Sequence, residues 1–147
     1  MDLDIILRAS EPQRRAVLAE LEACNHLTLP YGLSLTETQM QALAAHRLEA
    51  LQAAGRVEFG AGVTKKLILA FRDSPYLDQT NYEDTLMQLQ DAFYYFKNES
   101  KERLTDDGLI AYMRAAFDGP AQGSLDYLNG TALEELCRWA RESGAAL

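Results

Sequence analysis

The sequence predicts an all-α fold, and three observations carry that expectation. Apolar residues recur at spacings of three and four through every long segment. Helix-start signatures stand before several of those segments. Glycine and proline fall between the periodic stretches rather than inside them. At 147 residues, with 48% apolar and 24% charged side chains, the chain has globular composition and enough length to bury a core. A single domain over 1–147, with five to seven helices, is expected.

Taken in order, Ser10 and Pro12 open a first helix with Val17, Leu18, Leu21 and Cys24 on its buried stripe. Residues Asn25 to Leu35, "NHLTLPYGLSL", read as a connecting loop. Thr36 and Gln39 have capping-box spacing and open a helix that Gly55 closes. Thr80 and Glu83 repeat the signal before a helix to about Glu99, whose core face is Tyr82, Leu86, Leu89, Phe93 and Phe96. Thr105 starts another, lined by Leu109, Tyr112, Met113, Ala116 and Phe117, with Asp106 and Asp107 near its positive end. Thr131 and Glu134 predict a third capping box, before Leu133, Leu136, Cys137 and Ala140. Only "RVEF" at 56–59 alternates like a strand, so at most a minor two-stranded element is expected there.

Composition narrows the function. A net charge of −8 argues against direct binding to nucleic acid, which needs a basic face to displace counterions. No apolar run reaches the length of a membrane span, and "MDLDIILRASEPQRR" lacks the pattern of a signal peptide. Cys24 and Cys137 make no disulfide framework, which suits a cytoplasmic protein. With His26 and His46 they do not form a metal-ligand spacing. The acids are scattered, so no catalytic residue, metal site or cofactor is assigned.

Three features stand out. The first is "GRVEFGAGVTKKLILAF", Gly55 to Phe71, where glycines and lysines lead into a short helix that is apolar nearly all round. Residues 55–72 hold four basic side chains against one acid, while the rest of the chain holds ten against 21. Gly60, Gly62, Thr64, Lys65 and Lys66 are therefore candidates to hold an anion at a helix N-terminus. The competing and preferred reading is structural, with glycines serving a tight turn at positive φ, a helix beginning near Gly62 or Val63, and Lys65 in solvent. The second is Arg47, in the middle of the arc formed by Met40, Leu43, Ala44, Leu48, Leu51 and Ala54. A charge there needs a carboxylate such as Glu58 or Asp73. The third is the aromatic run Phe93 to Phe96, where Tyr94 and Met87 lie seven apart. They are either a further buried flank or an exposed stripe facing a partner.

The stretches "GRVEFGAGVTKKLILAFRDSPYL", "FYYFKNES" and "AAFDGPAQGSLDYL", in that order, resemble an uncharacterised bacterial family of unknown function, found mostly in anaerobic Gram-positive bacteria. The resemblance covers roughly Leu29 to Leu136 and leaves out the segment up to Cys24. It implies a bacterial cytoplasmic protein and brings no activity, cofactor or catalytic residue. The expected function is a non-enzymatic interaction module whose partner is another protein or a second copy. One alternative is a small-ligand protein binding a phosphate or anionic metabolite near Gly60–Lys66. Another is an acidic inhibitor that covers a basic protein surface.

Overall fold

Residues 11–143 are described by the computed structural model, which leaves Ser10 and the rest of 1–10 outside. Six helices of ten residues or more follow one another, and there is no strand among the described residues. They are α1 (Glu11–Thr28), α2 (Glu37–Ala54), α3 (Gly62–Phe71), α4 (Tyr82–Glu99), α5 (Asp106–Asp118) and α6 (Leu133–Ser143). The all-α expectation holds, and no two-stranded element forms at 56–59.

Two start signals act as the sequence implies. Thr36 accepts from the Gln39 backbone N–H while Gln39 reaches back to the Thr36 N–H, a complete capping box. Thr105 accepts from the Gly108 N–H at the start of α5. Gly55 closes α2 in the left-handed region, at φ 69°.

Three boundaries differ from expectation. Helix α1 runs on to Thr28, through what reads as loop. Its last turn satisfies the chain that follows. Asn25 pairs with both backbone groups of Leu35, and the buried Thr28 hydroxyl donates to the Leu33 carbonyl at 2.7 Å. Thr80 does not cap α4. Asp78 accepts from its N–H and hydroxyl and from the Asn81 N–H, so the Thr80 side chain is already engaged. Thr131 does not cap α6 either. A helical turn capped by Ser124 (Leu125–Tyr127) passes into a wider π turn (Leu128–Ala132), which delivers the chain to α6 already coiled.

Helix α4 is central and packs against α2, α3, α5 and α6. Its apolar residues divide between two adjoining cores. Leu89, Phe93, Tyr94 and Phe96 join Leu67, Phe71, Met113, Phe117, Leu133 and Cys137 in one, while Tyr82 and Leu86 join Val17, Leu21, Cys24, Leu43 and Ile68 in the other. Short α3 bridges them, with Leu67 and Phe71 facing one core and Ile68 the other. That two-sided burial explains why its sequence is apolar nearly all round.

Candidate functional site

The connection from α2 to α3 is the most unusual part of the molecule. After Gly55, residues 56–59 run extended, and their side chains alternate. Arg56 and Glu58 turn toward the protein. Arg56 donates to Asn98 at 2.8 Å and pairs with Glu102, while Asn98 donates to the Ala54 carbonyl. Val57 and Phe59 turn outward and are 83% and 82% exposed. The usual order of an amphipathic strand is inverted.

Glu58 gathers four donors on one carboxylate oxygen. Its Oε1 accepts from Arg47 Nη2 at 3.0 Å and Nε at 3.3 Å, from the Tyr94 hydroxyl at 2.7 Å and from the Val63 N–H at 3.2 Å. Arg47 is 3% exposed, and Glu58 is the carboxylate it pairs with. Asp73, the other candidate partner, pairs instead with Arg114 at 2.6 Å, and that guanidinium holds its carboxyl below the ordinary value. Tyr94 is 2% exposed, and burial together with its bond to Glu58 pushes its phenol well above the ordinary value.

This corrects the exposed Met87–Tyr94 stripe. Tyr94 is core because α2 covers its flank of α4 and Glu58 satisfies its hydroxyl. Met87 is half-buried against the smaller core. Tyr95, one residue on, is the member of the aromatic run that reaches solvent.

Gly60 and Gly62 have φ of 61° and 52°, and α3 begins at Gly62. The structure separates the five candidate anion-site residues. Thr64 is buried, its hydroxyl donating to Gln90 Oε1. Lys65 is exposed. Lys66 is exposed and pairs with Asp107 at 2.8 Å, which raises its pKa. The amides at the start of α3 are engaged by the protein's own acids, Glu20 on the Ala61 N–H and Glu58 on the Val63 N–H. Those carboxylates stand where an external anion would have to compete.

A cleft does open beside Gly60, on other residues. Gln13, Arg14, Val17, Ala44, Arg47, Leu48, Glu58 and Gly60 line it, between α1, α2 and the extended segment. Arg14, Glu20 and Gln90 carry no signal in the sequence, because the first two come from α1 and the third from α4, and they meet this region only in the fold. Glu58 was legible only as one possible partner of Arg47.

Among the described residues, no group of three or more His, Cys, Asp and Glu is placed to hold a metal ion. Both cysteines are buried and free. Burial raises the Cys24 thiol above its ordinary value and pushes Cys137 up to about 11, which suits packing rather than nucleophilic attack. No helix among the described residues is long and apolar enough to cross a membrane.

The model of a family of unknown function, DUF6323, matches residues 20–146. The chain belongs to DUF6323. The DUF6323 match begins inside α1, upstream of the resemblance read from the sequence, and takes in the whole polar centre from Glu20 to Tyr94. No curated protein and no solved structure matches this DUF6323 chain.

Proposed function

We propose that the protein is a non-enzymatic interaction module of the bacterial cytoplasm, and that the ridge Val57–Phe59 is its contact surface. One observation carries the reading: two large apolar side chains, more than four-fifths exposed, stand on a segment whose alternate residues are anchored by Arg47, Asn98, Tyr94 and Glu102. Such a ridge is held in place before binding, so little ordering entropy opposes its burial. Covering both side chains is worth roughly 3–6 kcal/mol, the scale of an interface hot spot.

The partner is a different protein with an apolar pocket rimmed by carboxylates. The ridge lies in a net-basic stretch, residues 55–72 with four basic side chains against one acid, so that rim complements it. A symmetric contact between two copies would set basic segment on basic segment, in chains that each carry −8. The same net charge disfavours nucleic acid. Two free, buried thiols fit a reducing compartment.

A photo-crosslinking amino acid at position 57, used in cells, should trap a discrete protein that a crosslinker at exposed Tyr127 does not. The purified partner should then lose at least about tenfold in affinity for Phe59→Ser, while helical content and melting temperature hold. Equal affinity for Phe59→Ser and wild type would remove the ridge from the interface. A second copy of the chain trapped at position 57 would replace the hetero-partner reading with self-association.

A further inference from the structure

We propose that the cleft between α1, α2 and residues 56–60 binds a small aliphatic monocarboxylate. This site lies on the inner side of the segment that carries the ridge, and it is argued from different side chains. Its floor is Arg47, a buried guanidinium whose bonds to Glu58 use Nε and Nη2. Arg47 and Glu58 offset each other as an ion pair, so any net positive charge in the lining comes from a second guanidinium. Arg14, half-buried on α1, adds a second guanidinium to the lining and has no partner among the described residues. Two guanidiniums and one carboxylate thus line a cleft in a protein of charge −8.

The ligand class follows from that lining. A planar carboxylate matches the guanidinium fork and would sit between Arg47 and Arg14. Glu58 beside it opposes a second negative charge, which disfavours phosphates and dicarboxylates. Val17, Ala44 and Leu48 form apolar walls that suit a hydrocarbon tail. The cleft's own volume is about 40 Å³, room for a few waters or a ligand of a few heavy atoms, which limits the ligand to a short chain whose tail lies toward the open mouth. Gly60 at the rim keeps the wall thin, and a side chain there would press on Glu20.

Calorimetry and thermal melting with sodium butyrate, n-butylammonium chloride and sodium phosphate, at matched ionic strength, test the proposal. Butyrate should bind saturably at one site and raise the melting temperature, butylammonium should not bind, and phosphate should bind more weakly than butyrate. Arg14→Gln, on an outer turn of α1, should weaken butyrate about tenfold, the value of one charge-assisted bond. Leu48→Phe should fill the cleft and abolish binding without loss of fold. Amide shifts on titration should centre on Val17, Ala44 and Gly60. No saturable butyrate binding to the wild-type protein overturns the site. Butyrate affinity unchanged in both variants places any binding elsewhere and also overturns it. Phosphate binding as tightly as butyrate, at the same residues, overturns the monocarboxylate assignment.

Discussion

Gly62 and Glu58 leave no room between them. A Cβ built on Gly62 would stand closer to Glu58 Oε1 than real Cβ contacts come, and 2.9 Å from Arg47 Nη2. The glycine is therefore required twice, once for its φ of 52° and once for the ion pair packed against its α-carbon.

Gly62→Ala should accordingly destabilise by at least about 2 kcal/mol, because left-handed strain adds to displacement of a pinned carboxylate. For a chain of this size that is a fall of roughly 4–8 °C in melting temperature. Gly60→Ala should cost about half as much. Its φ is similar, but the atoms it meets are the far end of the Glu20 side chain, which can move. Equal melting temperatures for the two variants would show that the Arg47–Glu58 pair yields as readily as Glu20.

Arg47→Ala should cost about 3 kcal/mol, the low end for breaking a buried pair, since it leaves Glu58 and Tyr94 facing a void. Arg47→Met should cost less because it keeps the packing stem. Tyr94→Phe removes one of the four donors on Glu58 and should cost about 1 kcal/mol. In a double-mutant cycle the Arg47 and Tyr94 changes should fail to add, because both act on the same oxygen. Additive losses in urea denaturation would dissolve the idea of one polar centre.

How much of this could be read beforehand follows a physical line. Local chemistry was legible: the Thr36 capping box, the Thr105 cap, the Gly55 stop and the four-and-three stepping of α4 are set by residues within a turn of one another. Arg47 was legible as a charge on an apolar arc, so a carboxylate partner followed from its cost. Where a side chain had two local options, pattern failed. Thr80 had Asp78 as a competitor for its hydroxyl, and Thr131 sat inside a turn wider than an α-helix. What depended on distant packing was out of reach. For Tyr94 a buried flank and an exposed stripe stayed open because nothing local shows α2 lying over it, and the outward turn of Val57 and Phe59 follows from anchors on α2 and α4.

The double change Lys65→Ala, Lys66→Ala should leave stability within about 0.5 kcal/mol of wild type. Lys65 is exposed, and the Lys66–Asp107 pair lies in solvent where such contacts contribute little. The variant should also bind butyrate as wild type does, since neither lysine lines the cleft. A drop of several degrees in melting temperature would mean that these ammonium groups hold the start of α3 in place.

Alkaline titration reads the buried phenols directly. The ordinary tyrosine value is 10.0, and burial pushes Tyr82 up to about 12. Tyr94 is displaced in the same direction, by burial first and by its bond to Glu58 second. A folded-state pKa above the unfolded one means that the native protein holds its proton longer. The stability linked to Tyr82 is therefore complete below about pH 10 and lost as pH rises toward 12, a loss of roughly 2–3 kcal/mol. Absorbance at 295 nm follows the ionisation of the phenols. Tyr82 and Tyr94 should ionise only as the helical circular dichroism collapses. Tyr82→Phe should flatten the fall in stability between pH 10 and 12, because the group that drives it is gone. If Tyr82 and Tyr94, identified by their Phe variants, ionise near pH 10 while the spectrum stays helical, both are open to solvent, and the cores drawn around them are wrong.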